Sequence, residues 1–384
     1  MFKMKRILIV IFTLLLATFS IIGADAAEAD GDLRDYYNSQ LDKSGAGDLY
    51  YSLPDDAKDT LEELGINSPD WQQLNQLSVG EVFIEILKLF GDSAFQPLAC
   101  MLAVIGIVIF CALSDCLKDL SGASPLDGTV AIIAALCLCG VVVFPVADVL
   151  SSGTAAIKNA ASFMLLYVPI MAGILVASGS SITGASYYTT VMAAGEVISQ
   201  IGARLLSPVL NILLGISVIS SLCSKIKLGG IINLVHSSFK WIVSFMMSLF
   251  VSVLSIQSFI GSAADNTGIK AAKFAISSFV PVVGGALSDA FLTIQSSLKL
   301  LKSGVGVFAI IGTAALFLPA IIKCVIWLFT ISCSAAVAEV FSLGAPHSLL
   351  CGVKKVVTLL LVLLLCCMTV MIISTAILLI LGGS

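Results

Sequence analysis

Charge is scarce in this 384-residue chain: Asp, Glu, Lys and Arg make up 11% of it, against 58% apolar residues and a mean hydropathy of +1.07. Soluble domains carry roughly 25% charged residues, so a water-soluble globular fold is excluded and an integral membrane protein is implied. Histidine is rarer still, at His236 and His347 alone. That rules out an H-E-x-x-H zinc site and leaves an intramembrane hydrolase built on His236 with no serine partner that the sequence singles out. Cysteine is absent before Cys100, and all 11 cysteines lie in the apolar remainder, where the residue usually acts as a small hydrophobe. Pairs such as Cys137 with Cys139 and Cys366 with Cys367 therefore imply neither a disulfide framework nor a metal site. No G-x-x-x-x-G-K-S/T loop and no G-x-S-x-G elbow occur. The Gly304-to-Ala309 stretch has dinucleotide-fingerprint spacing, but no strand precedes it and it opens an apolar run. No catalytic residue, cofactor or metal is expected, and no nucleic-acid partner.

What charge there is lies unevenly. Residues 27–92 carry 15 acidic and 4 basic side chains, net −11, whereas residues 93–384 carry 8 acidic and 13 basic, net +5. Lys3, Lys5 and Arg6 precede an apolar run from Ile7 to Phe19, and Ala24-Asp25-Ala26 follows with the small-x-small spacing of a signal-peptidase site. The expectation is a signal peptide at 1–26, an acidic extracytoplasmic head at 27–95 and a polytopic membrane domain at 96–384. An uncleaved anchor gives the same orientation.

The head reads as short helices. Pro54 to Leu64 ends at Gly65, and Ser78-Val79-Gly80-Glu81 has capping-box spacing ahead of Val82, Phe83, Ile86, Leu87 and Phe90, a stripe able to dock on membrane, partner or body. Beyond it, spans are expected near 97–114, 129–150, 161–180, 187–203, 205–223, 239–260, 274–294, 304–322, 325–341 and 356–381, with seven to ten crossings in all. The fold class is all-α. Ten crossings put the lysine pairs 299/302 and 354/355 together on the cytoplasmic side.

A faint internal repeat relates 129–223 to 239–341. Val168-Pro169-Ile170-Met171-Ala172-Gly173-Ile174-Leu175 matches Val280-Pro281-Val282-Val283-Gly284-Gly285-Ala286-Leu287, 112 residues on, with four identities in eight. Paired Gly/Pro-interrupted apolar segments point to broken helices around a transport pathway, so Pro281, Gly284, Gly285, Pro169 and Gly173 are expected helix breaks. This supports a self-sufficient secondary transporter as one alternative. After the second break, Leu287, Phe291, Ile294, Leu298 and Leu301 recur at helical spacing. They leave Ser288, Asp289, Thr293, Gln295, Ser296, Lys299 and Lys302 as a polar side that suits a pathway lining or a helix interface. Glu196, Gln200 and Arg204, at i, i+4 and i+8, form a second polar face with the same two uses. The acidic head offers a third possibility, a structural anchor for a basic partner.

The order of signal peptide, acidic head and polytopic body resembles the stage III sporulation protein AE family of endospore-forming bacteria. The run FVPVVGGALSDAFLTIQSSLKLLKSGVGVFAIIGTAALFLPAI carries the most specific part of that resemblance. It implies a subunit of the trans-envelope complex linking mother cell and forespore, in the mother-cell-derived membrane around the forespore. Implied partners are the other stage III proteins of the same operon, including a secretion-type ATPase, besides membrane lipid.

Overall fold

A backbone amide in hydrocarbon finds no water to bond, and a helix satisfies all of its interior amides within one segment. The structure, a computed structural model, describes residues 31–70, 73–74, 78–121, 129–200, 207–222, 229–279 and 284–381. Every regular element among them is a helix: α1 Gly31–Ser44, α2 Asp48–Tyr51, α3 Asp55–Glu63, α4 Val79–Ser121, α5 Thr129–Ala177, α6 Ser181–Gln200, α7 Ser207–Leu222, α8 Gly229–Phe279, α9 Gly284–Val340 and α10 Gly344–Leu381. The expected signal peptide lies outside the described residues.

Five of these helices are long and apolar enough to cross a membrane: α4, α5, α8, α9 and α10. Seven to ten separate spans were expected, and the difference has a physical cause. Expected spans 129–150 and 161–180 are one helix, α5, and 304–322 and 325–341 are one helix, α9. The polar residues read as a connection between the first two do not open the backbone. The Thr154 hydroxyl bonds back to the Leu150 carbonyl within the same helix. Gly153 is small because α10 lies against it: a Cβ there would stand 2.7 Å from Leu360 Cδ2. Within the described residues, α6 takes up 187–200 of the expected 187–203 span and α7 takes up 207–222 of the 205–223 span, but α7 is only a shorter apolar helix. The expected 274–294 span straddles the end of α8 and the start of α9.

Proline does not act as sequence spacing suggests. Pro97, Pro145, Pro169 and Pro319 all lie inside helices. The expected breaks at Pro169 and Gly173 are therefore corrected: α5 runs through both to Ala177. A mid-helix proline removes one donor and strains one turn, but Tyr167, Val168 and Met171 around it are fully buried, and their packing holds the helix. The chain actually turns at Ser178 to Ser180, where Gly179 takes φ +88° and the Ser180 amide donates to the Leu175 carbonyl at 2.9 Å. Gly284 and Gly285 begin α9, and Pro281 lies outside the described residues. At one matched pair of the repeat the surroundings differ: Pro208 is the second residue of α7, whereas its counterpart Pro319 sits deep inside α9.

α9 and α10 form the centre. They pair as an antiparallel hairpin turned at Ser342, which takes φ 55°, and α9 also packs against α4 and α5, with α10 against α5, α7 and α8. Most of the apolar stretch of α9 is buried, and almost none of that of α8. At the far end from the turn, Gly306 admits Leu379, whose Cδ2 would lie 2.6 Å from an added Cβ. Lys299 and Lys302 therefore stand at that far end, and Lys354 and Lys355 near the turn. At 1.5 Å per residue, Lys302 is about 57 Å along α9 from Val340, beyond the ~30 Å hydrocarbon thickness. The two lysine pairs lie towards opposite ends of the hairpin, because one unbroken helix separates the first pair from the turn.

The head is not a separate module. Tyr37, Leu49, Leu53, Leu61 and Ile66 belong to the same buried cluster as Phe163 of α5 and Phe308 and Phe317 of α9. α1 and α3 rest on α9, and Leu53 and Phe163 both approach Gly312. The Ser78 capping box forms as expected: the Ser78 amide donates to Glu81 Oε2 at 3.3 Å and the Gly80 amide to Ser78 Oγ at 3.2 Å. The stripe beyond it does not dock on the body, since Phe83, Leu87 and Phe90 are exposed. Gly306→Val should overpack the α9–α10 contact and lower stability by about 1–3 kcal/mol, whereas Gly173→Ala, with no atom nearby, should be neutral or slightly stabilising. Thermal unfolding in detergent checks the pair.

Candidate functional site

Of the Glu196, Gln200 and Arg204 face, the structure describes the first two. Both are exposed on α6, and Gln200 Nε2 donates to Glu196 Oε1 at 2.7 Å. Arg204 lies outside the described residues. On α9 the backbone is helical through Asp289 and Thr293, while their side chains lie outside what is described. Ser296 and Lys299 are exposed. Lys302, grouped with them by spacing, turns inward: it is 2% exposed, and its Nζ has no hydrogen-bond partner among the described residues.

Sequence spacing missed Asp265. Its carboxylate accepts from the backbone amides of Ile182 at 3.0 Å and Thr183 at 2.8 Å. These are first-turn donors of α6, which no carbonyl of their own helix can reach. A carboxylate there also meets the positive end of the α6 dipole. One turn back on α8, Gly261 lets the two helices close: a Cβ would stand 2.9 Å from Thr183 Oγ1. Two turns back, the Thr190 hydroxyl donates to Gln257 Oε1. Asp265, Gly261 and Gln257 thus make a polar edge by which α8 holds α6. The signal is absent from local sequence because Asp265 caps a helix that begins 84 residues earlier.

A second polar group lies where α5, α6 and α10 meet. The hydroxyls of Tyr167, Tyr187 and Ser374 are buried without a partner in good geometry, though they stand within interaction range of one another. Ser374 also borders a half-open cleft whose other walls include Met164, Val191, Gly195, Phe250 and Met371. That cleft is apolar. At the hairpin turn, Cys351 Sγ and His347 Nε2 lie 3.4 Å apart, and Glu339 Oε2 is 3.9 Å from the same nitrogen. Among the described residues no group of three His, Cys, Asp or Glu is arranged to hold a metal ion.

Charge also joins head to body. Lys88 Nζ of α4 meets Glu63 Oε1 of α3 at 2.6 Å. Hydrogen bonding to Glu85, then to Lys88, holds the Glu63 carboxyl below its ordinary range. Within the head, the Tyr50 hydroxyl donates to Glu62 Oε1 at 2.6 Å, and that bond, followed by burial, pushes the phenol up to about 12.

Long apolar helices around a buried hairpin, with polar groups spent on caps and helix contacts, define a polytopic α-helical membrane protein. Residues 70–382 match the family described as stage III sporulation protein AE. The chain belongs to that family. The match takes in all of α4 to α10 and begins after the head helices α1 to α3. The chain is also 24% identical over 157 residues to stage III sporulation protein AE of Bacillus subtilis (strain 168), an alignment covering 41% of this chain and 39% of that relative. It therefore spans about two fifths of the curated relative. No solved structure matches.

Asp265→Ala should leave two α6 amides unpaired and cost roughly 1.5–3 kcal/mol, with Asp265→Asn losing less because one acceptor remains. Thermal unfolding of the full chain in detergent reads both.

Proposed function

We propose that the chain is a non-enzymatic membrane subunit of a trans-envelope channel or secretion complex between mother cell and forespore, needed for late forespore development. The carrying observation is the family match across α4 to α10, the whole long-helix body. In this reading residues 27–95 face the space outside the mother-cell cytoplasm, and the protein resides in the membrane around the forespore. Its partners are the other stage III proteins of the operon, including a secretion-type ATPase. The exposed apolar flank of α8, from Leu234 through Trp241 and Phe245 to Ile260, suits lipid or a neighbouring membrane subunit. Asp289, Thr293, Ser296 and Lys299 lie along the early part of α9, where they serve a conduit or an assembly contact. The self-sufficient transporter draws no support from paired helix breaks, since α5 continues through Pro169.

The test is genetic and has two arms. Loss of the gene in a spore-forming host should stop development after engulfment, and the wild-type chain should restore heat-resistant spores. Asp289→Asn should reach the membrane in normal amount yet restore fewer spores. Full sporulation without the gene would sink the reading, and full rescue by Asp289→Asn would remove any need for that charge.

A further inference from the structure

The first turns of α4 wear their amphipathic pattern inside out. Glu85 is buried beside Glu63 of α3 and Lys88 pairs with that same Glu63, whereas Phe83, Leu87 and Phe90 are 57%, 62% and 44% exposed. At i, i+4 and i+7 these three rings and side chains share one helix face, and the exposed Ile84 widens it. The fold spends the charged side of this segment on the head and leaves its apolar side open.

That open face does not lie in hydrocarbon. Residues 93–114 of the same helix hold no Asp, Glu, Lys or Arg, and at 1.5 Å per residue they span about 33 Å, enough to cross a ~30 Å layer by themselves. Glu81, Glu85, Lys88 and Asp92 crowd the segment before them, and the ion pair to α3 keeps it beside the acidic head. A contiguous apolar face held in water marks a contact surface.

Charge selects what covers it. Residues 27–92 carry net −11, Glu81 and Asp92 of α4 are exposed together with Asp56, Asp59 and Glu62 of α3, and Lys88 is already paired with Glu63. A second copy would bring one acidic head against another, and an anionic bilayer surface would meet the same repulsion. We propose that Phe83, Leu87 and Phe90 form the docking face for an amphipathic helix of a partner protein, whose apolar side covers the stripe and whose edges carry lysine or arginine toward the head's carboxylates. The apolar contact supplies affinity, and the acidic surround supplies selectivity. The site needs only that the head lies in water, on either side of the membrane, and so stands apart from the sporulation reading.

The test uses the full chain in nanodiscs of phosphatidylcholine, with empty nanodiscs as the blank. Two synthetic helical peptides serve as probes, each with leucine along one face and either lysine or glutamate along its edges. The lysine-edged peptide should bind wild type about tenfold or more tighter than the glutamate-edged one, and its binding should weaken as salt rises. Leu87→Gln combined with Phe90→Gln, both at exposed positions, should unfold at the wild-type temperature yet lose about tenfold or more of that affinity. Equal binding of the two peptides, or undiminished binding by the double variant, would overturn the proposal. Two further readouts address the other occupants. A fluorophore attached through Leu87→Cys, in a chain freed of its native cysteines, should escape quenching by brominated phosphatidylcholine, and wild type in detergent should sediment like the double variant. Strong quenching would give the face to lipid, and a dimer that the double variant loses would give it to a second copy; either result overturns the partner helix.

Discussion

The α9–α10 hairpin is the contact on which the rest of the body depends. Two helices of this length stay together only if their backbones approach closely, and glycine provides the approach at Gly306 for Leu379, as Gly352 does where α7 brings Ser217 against α10. Between apolar helices in a bilayer the hydrophobic effect gives no net drive, so close packing of this kind carries the association. α5 then closes on the hairpin from another side through Gly153 and Leu360. α4 and α8 remain at the rim, with broad apolar faces turned outward.

The head extends this core instead of standing apart from it. Its acidic composition keeps its outer surface in water, while Leu49, Leu53, Leu61 and Ile66 point the other way and join α5 and α9. The Lys88 to Glu63 pair adds a tie to α4 of the half-exposed kind that contributes little energy by itself and mostly sets direction. Several polar groups deeper in the body have an identifiable duty. Asp265 ends a helix, and Thr190 and Gln257 align two helices.

Much of the fold was legible from local chemistry. The all-helix architecture follows from apolarity, the α3 helix from Pro54 and Gly65, and the start of α4 from Ser78 and Glu81. These depend on residues a few positions apart. Span count was not legible, because Gly153 and Lys323 look like connections when read alone and become helix interior once α10 and α9 are in place. Pro169 misled for the same reason: its cost is local, and the packing that outweighs it comes from other helices. Nor can spacing tell Lys299, which is exposed, from Lys302, which is buried, since both lie on one polar side of an ideal helix. Asp265 left no local trace, because its donors belong to the far end of α6.

The central claim is that the head and the long helices form one packed body around α9. Its most direct test places cysteines at Leu53 and Gly312 in a chain freed of its native cysteines, followed by oxidation in intact membranes. A docked head predicts a rapid intramolecular disulfide and thiols slow to react with a soluble maleimide. Free labelling of both positions, with no cross-link formed, would contradict it.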